Sequence, residues 1–492
     1  MISYIIQFRL PLKVLGFAAC LLLGNCQSPS SSQQDQAVSS APPNIIYILA
    51  DDLGYGDVGV FGQQKFQTPH LDALAKGGLT LTQHYAGTTV CAPSRSSLMT
   101  GLHTGHTPIR GNKRTPPEGQ QPLPDASITI AEKLKQGGYV TGAFGKWGLG
   151  GPGSEGAPER QGFDTFFGYL CQTLAHNYYP YHLWDNQEKL MLKENEGQQE
   201  GIYAPNLIHE EALAFIETNQ DTNFFLYYPS VIPHAELFAP KAYMEKHRDK
   251  YLPEKTYQGT DEGERFRLGP YGSQTEGHAA FAAMVNLLDD QVGEIRAKLE
   301  ELGIAENTLI IFSSDNGPHL EAGADPDYFD SNGPLKGYKR DLYEGGIRVP
   351  TIAFWPGKVA AGSQSDHVSA FWDLYPTLCD VAGVPVESNL DGLSFLPTLL
   401  GKEQPQHDYL YWEFHERGGR QAIRKGNWKA VKYNIFKDPQ RDMELYDLSK
   451  DIGEEHNIAA DHPEVVTEMT NLMLAAREES EVFPFEARIK VE

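Results

Sequence analysis

At 492 residues the chain exceeds what one hydrophobic core usually serves, and a 40% apolar content is enough to build more than one. A formal charge of −24, from 41 Lys and Arg against 65 Asp and Glu, argues against a nucleic-acid binder, which presents a basic surface. In so acidic a body, any site for an anion has to be a local basic pocket.

The N-terminus reads as a secretory signal. Arg9 and Lys13 lead into the apolar run from Val14 to Leu23, which is too short to span a bilayer. Leu23-Gly24-Asn25-Cys26 resembles a bacterial lipobox and departs from it at Asn25, where a small residue is expected. Lipidation at Cys26 and simple cleavage both remain open, so membrane contact is expected only through a lipid anchor. Residues 27–43, rich in Ser, Gln and Pro, read as a disordered tether. The expected location is exported, in the periplasm or cell envelope. Beyond the leader only Cys91, Cys171 and Cys379 remain; they are too scattered for a disulfide framework, and Cys171 and Cys379 read as buried or free thiols.

Asn44–Ala50 (NIIYILA) is a nearly continuous apolar run and predicts a strand buried on both faces. It ends in Asp51-Asp52, which suits a hard cation such as Ca²⁺ or Mg²⁺ and equally a solvated turn. Thr68-Pro69 predicts a helix with Thr68 as its N-cap, closed by Gly77-Gly78. Cys91 opens the next helix, with Pro93 and Ser94 in its first turn and Arg95 four residues on. There the free N–H groups favour an anion, although a structural cysteine explains the spacing as well. The loop Gly101–Asn112, with His103, His106 and Arg110, reads as exposed. Thr129 and Glu132 form a capping box for a helix that stops at Gly137-Gly138. A strand follows over Tyr139–Phe144, with Lys146 at its far end.

Further on come a helix over Leu207–Ile216, a strand over Phe224–Tyr228 leading to Pro233-His234, and a long helix from about Glu276 to Leu302. The stripe Phe281, Met284, Leu288, Val292, Ile295 and Leu299 marks the core face of that helix. A strand over Thr308–Ser313 ends in Asp315-Asn316-Gly317, and another follows Arg348 at Thr351–Trp355. Strands alternating with helices predict an α/β fold, a mostly parallel central sheet sandwiched by helices. Asp51/Asp52, Lys146, His234 and Asp315/Asn316 all come just after strand ends, the edge at which such sheets bind ligands. Beyond Pro385 the texture changes. Short strand-like runs at Tyr409–Phe414, Gln421–Arg424 and Trp428–Tyr433 and a helix at Glu464–Arg477 predict a smaller α+β domain with an antiparallel sheet. The expected organisation is a first domain over 44–385 and a second over 386–492.

Cys91-x-Pro93-Ser94-Arg95, followed by Met99-Thr100-Gly101, resembles the signature of the type I sulfatases of the alkaline phosphatase superfamily. Asp51-Asp52, Gly145-Lys146-Trp147, Pro233-His234, Ser314-Asp315-Asn316-Gly317 and Gly333-Pro334-Leu335-Lys336-Gly337 stand in the family's order, and Leu445–Leu448 resembles its second domain. The resemblance implies an alkaline-phosphatase-like fold and sulfuric ester hydrolysis. A formylglycine-generating enzyme would oxidise Cys91 to formylglycine, whose hydrate is a diol. Asp51, Asp52, Asp315 and Asn316, with modified Cys91, would hold one Ca²⁺. One hydroxyl of the diol would attack sulfur and the other would later expel sulfate, an exit that a serine lacks. His234 would protonate the leaving group, while Arg95, Lys146 and Lys336 neutralise the sulfuryl oxygens. The chain departs from the pattern at Gly148, where many relatives carry a histidine touching the diol, so the base of the second step stays unassigned.

The expected partner is a sulfated carbohydrate, such as a glycosaminoglycan, mucin or algal glycan. Ala175-His176-Asn177-Tyr178-Tyr179-Pro180 suits a sugar subsite or, equally, a packed aromatic loop. His319 and, more weakly, Arg340 and Asp341 are further subsite candidates. Two rival readings stand beside sulfate hydrolysis: a phosphonate or phosphodiester hydrolase sharing the signature, and a non-catalytic binder of sulfated glycans should Cys91 stay unconverted.

Overall fold

The computed structural model describes residues 42–438 and 441–486. The signal read at 1–26, with Cys26, and all but the last two residues of the tether lie outside them. Among the described residues no helix is long and apolar enough to cross a membrane.

Five strands form the centre of the fold: β1 (Asn44–Ala50), β2 (Val140–Lys146), β3 (Thr165–Tyr169), β4 (Phe224–Pro229) and β5 (Thr308–Ser314). They run parallel in the order β5-β1-β4-β2-β3. Antiparallel pairings extend both sides, with Thr351–Phe354 against β5, Leu79–Leu81 against Thr351–Phe354 and the hairpin His182–Met191 on β3, and Ser363–Ser365, parallel to Leu79–Leu81, completes a ten-stranded sheet. Sandwiching explains why β1 lacks polar alternation. Ile46, Ile48 and Ala50 enter one core layer with Met284, Leu288 and Val292 of the Gly277–Glu301 helix. Ile45, Tyr47 and Leu49 enter the other, with Ala92, Leu98 and Met99 of the Cys91–Thr100 helix.

Local signals hold unevenly. Thr129 Oγ1 accepts from Glu132 N at 3.2 Å and Glu132 Oε2 accepts from Thr129 N at 2.7 Å, the predicted capping box. Thr129→Ala should cost about 1 kcal/mol of unfolding free energy, measurable by denaturant titration. Thr68, by contrast, does not cap its helix: its hydroxyl accepts from Gly59 N. The first N–H groups of that helix go instead to Asp289 on the long helix, from His70 at 3.1 Å and Leu71 at 2.8 Å. The loop Gly101–Asn112 is not the exposed segment expected. His103 and Arg110 are buried, with His106 on Asp391 and Arg110 on Glu413. Polar residues read as solvated are here consumed by partners distant in sequence.

The C-terminal part is a four-stranded antiparallel sheet, Leu410–Phe414, Arg420–Lys425, Trp428–Tyr433 and Glu444–Asp447, with the helix Pro463–Ala475. One face shares a core with the main sheet's flank, where Leu410, Trp412 and Phe414 meet Tyr85 and Trp372. A buried ion pair reinforces the seam, Lys429 Nζ to Glu344 Oε1 at 2.8 Å. The described residues from Pro42 on cluster as one compact unit, with the antiparallel sheet beginning beyond Pro385.

Candidate active site

The carboxyl ends of β1, β2, β4 and β5 converge on the N-terminus of the Cys91–Thr100 helix. Asp51 and Asp52 follow β1 directly, and φ of +67° at Asp52 breaks the strand's alternation. Two consecutive carboxylates thereby turn to one side. Asp315 and Asn316 follow β5 next to them: Asp52 N donates to Asp315 Oδ1 at 3.1 Å, and Asn316 Nδ2 to Asp52 Oδ1 at 2.7 Å. Ser94 ties the helix to this edge, its hydroxyl donating to Asp315 O at 2.6 Å.

Cys91 Sγ lies 3.5 Å from Asp51 Oδ1, 3.3 Å from Lys146 Nζ and 3.8 Å from Lys339 Nζ. Lys146 and Lys339 each hold a carboxylate oxygen at 2.6 Å, on Asp51 and Asp52 respectively. All of these groups are buried. Burial works against charge on both lysines, but Asp51 and Asp52 outweigh it and keep them protonated. For Asp51, burial is again outweighed, here by Lys146, Arg95 and Lys339, which hold its pKa at about 2. Asp315 goes the other way: burial, then the neighbouring Asp51, push it up to about 6. Burial and Asp51 also push the Cys91 thiol far above its usual range, despite the lysines. As a plain thiol, Cys91 is therefore a poor nucleophile, because the thiolate is the reactive form.

The donor set fits a hard cation. Three carboxylates converge, and Asn316 Oδ1 is buried without a protein partner while the amide's nitrogen is engaged. Asp51, Asp52, Cys91 and His234 bring ligand atoms within 4.8 Å of one another. Three carboxylates balance Arg95, Lys146 and Lys339, so a divalent cation would leave the site with a net charge of +2. That is the local basic pocket that an acidic chain needs for an anionic ester.

His234 closes the site from the loop after β4. Its Nδ1 donates to Ala235 O, leaving the Nε2 lone pair 3.5 Å from Asp52 Oδ2. Burial, then Lys339 and Lys146, hold its pKa well below the usual histidine range. The ring stacks with His176 at 5.1 Å and with His319 at 5.8 Å, both nearly parallel to it.

Several expected site residues stand elsewhere. Lys336 does not reach the site: its Nζ donates to Glu454 O at 2.8 Å and lies over Tyr343, in the seam with the C-terminal sheet. Lys339, three residues on, is the second lysine. Both sit in one Gly-Pro-Leu-Lys-Gly-Tyr-Lys run, and nothing local in that run tells which lysine turns inward. Arg95 is anchored by three bonds, with Nε and Nη2 on Asp315 Oδ2 at 3.1 and 2.9 Å and Nη1 on Lys146 O. It positions Asp315 and β2, and one N–H on each terminal nitrogen is left over from these bonds. Asn177 is likewise consumed, by Glu236, Pro270 and Gly269. His319 accepts from Glu321 N and donates to Pro233 O, so it supports His234 rather than offering a subsite. Asp341 is taken by Arg420. Half-buried His176, with Nδ1 on Gly269 O and Nε2 unassigned, and Arg340, paired with Glu321 at 2.5 Å, remain placed for a ligand.

A helix-sandwiched parallel sheet with opposed charges at its carboxyl edge is the architecture of alkaline-phosphatase-like ester hydrolases. Within that class the chain belongs to the sulfatase family: the family model "Sulfatase" matches residues 43–384, and "N-sulphoglucosamine sulphohydrolase, C-terminal" matches 337–479. The protein is accordingly a sulfuric ester hydrolase. It is similar to human arylsulfatase A, 33% identical over 88% of this chain and 87% of that protein. It is also similar to N-acetylgalactosamine-6-O-sulfatase of Bacteroides thetaiotaomicron, 30% identical over 90% of this chain and 94% of that protein. Among solved structures, Ps i-CgsB in complex with k-i-k-neocarrahexaose has a TM-score of 0.73 at 31% identity, over 88% of this chain and 92% of that one.

Proposed function

We propose that this sulfatase is exported and removes sulfate from carbohydrates, using a formylglycine made from Cys91 and one Ca²⁺. The observation that carries the reading is the setting of Cys91: a buried position between two lysines and a carboxylate, where a thiolate is suppressed. Such a pocket suits an oxygen nucleophile, which oxidation of the cysteine and hydration of the aldehyde would supply. The carbohydrate is supported by the named activity of the Bacteroides relative and by the oligosaccharide bound to Ps i-CgsB. Export rests on the leader at residues 1–26.

Asp51 and Asp52, whose oxygens cluster with Cys91, would hold the ion through hard oxygens, with Asp315 and the free Asn316 Oδ1 beside Asp52 completing the set. When bound, Ca²⁺ would act as a Lewis acid on the sulfuryl oxygens and favour an ionised oxygen at position 91. Lys146 and Lys339 flank that position and meet the charge gathering on the sulfuryl group. Arg95 keeps Asp315 and the end of β2 in place. His234 presents Nε2 to the same space, and an arriving anionic ester would raise its affinity for the proton that the leaving alcohol takes.

A panel of defined sulfated mono- and disaccharides, scored by released sulfate, tests the substrate class. Turnover confined to aryl sulfates would refute the carbohydrate, and a clear preference for aryl phosphodiesters would overturn the reading altogether. His234→Ala should lose more activity on sugar sulfates, whose alcohols are poor leaving groups, than on activated aryl sulfates. Equal losses on both would remove His234 from the acid role.

A further inference from the structure

Gln172 is 7% exposed, and neither end of its amide has a hydrogen-bond partner. Among the described residues it is the one side-chain amide with both polar atoms buried and unpartnered. Buried amides are ordinarily satisfied, so this pair calls for a missing partner.

Its position says which partner. Gln172 folds over Gly148, where a Cβ would stand 1.9 Å from Gln172 Nε2. Gly148 has φ of +78°, a conformation favouring glycine, so the space above it is left to the amide. Gly148 is two residues past Lys146, whose Nζ lies 3.3 Å from Cys91 Sγ. The Gln172 segment is anchored on both sides: Gly148 N donates to Leu170 O at 3.1 Å, and Leu174 N to Cys171 Sγ at 3.4 Å. Four residues beyond Gln172, His176 stacks on His234. The amide therefore sits in the stretch that links the Lys146 end of the site to its His234 end.

We propose that Gln172 is a further ester-binding residue of the sulfatase site, its N–H donating to an oxygen of the bound ester or of the nucleophile at position 91. Its carbonyl accepts from a hydroxyl at the same place. The proposal rests on sulfate-ester turnover at Cys91 and not on which sugar carries the sulfate. An amide takes up no proton at ordinary pH, so Gln172 orients without acting as a base.

The test uses the full, matured chain, with conversion of Cys91 quantified by mass spectrometry in every variant. Gln172→Leu keeps the volume and removes both polar atoms. It is expected to lower kcat/KM on an aryl sulfate about tenfold or more and to weaken inhibition by inorganic sulfate, because a hydrogen bond to charged oxygen is lost. Its Tm should stay level or rise, since a buried unpartnered amide is gone. Full activity, or a fall in Tm with sulfate inhibition unchanged, would overturn the proposal in favour of a packing role. Gln172→Glu gives a second readout: a carboxylate beside the anion should raise KM at neutral pH and recover as pH falls through the carboxylate range. A pH-independent KM in that variant would count against the proposal. Wild-type protein that leaves aryl sulfate intact would remove the activity and this proposal with it, whereas active wild type with equally active Gln172→Leu overturns this proposal alone.

Discussion

Cys91→Ser is expected to stop steady-state sulfate release, with a loss on the order of 10⁴ or more, while leaving the protein folded. Serine is nearly isosteric, and its hydroxyl can sit between Lys146 and Lys339 where Sγ now lies, 3.3 and 3.8 Å from their ammonium groups. It carries one oxygen. That oxygen can attack sulfur once, but no second hydroxyl on the same carbon is available to expel the sulfate. The signature of the variant is a single turnover, with one SO₃ added to the mass of the peptide that spans position 91 and no further product. Continuous turnover by Cys91→Ser would refute an oxidised Cys91. So would an unmodified thiol in the corresponding peptide of active wild-type protein.

The second large effect separates two lysines three residues apart. Lys339→Ala should lower kcat/KM by about 10² to 10³, the loss typical of removing one preorganised donor at developing charge. Lys336→Ala should leave it within a few fold. The reason is geometric: Lys339 Nζ reaches Asp52 at 2.6 Å and Cys91 at 3.8 Å, whereas Lys336 Nζ is spent on Glu454 O. Removing Lys339 also leaves Asp52 buried beside one cation fewer, so part of the loss will appear as lower stability. Thermal melts of both variants, with and without Ca²⁺, separate the two contributions. A greater loss from Lys336→Ala would reverse the assignment. Lys339→Arg distinguishes charge from shape, since a planar guanidinium cannot replace a compact ammonium in so tight a space.

Residues whose role follows from their own strand were legible without coordinates. NIIYILA reads as a doubly buried strand because both neighbours along its normal are apolar layers, and Asp51-Asp52 stands out because charge directly after such a run needs a partner. The capping box at Thr129 is legible for a similar reason: all of its atoms lie within four residues. The expected long helix matches Gly277–Glu301 to within a residue at each end, since its stripe is a property of one helix.

What the chain's own order of residues determines is therefore local: the strand and helix types, the α/β class, and the strand ends at which charge collects. Long-range partnership was decided by the tertiary structure alone. It selects Lys339 over Lys336, turns Arg95 onto Asp315, and consumes Asn177 and His319 in holding loops. It also caps the Pro69–Gly77 helix with Asp289 from more than two hundred residues away. A side chain's reach is a few ångströms in space, whatever its distance along the chain. The same reason hides Gln172, which reads as an ordinary glutamine until the bare Cα of Gly148 is seen beneath its amide.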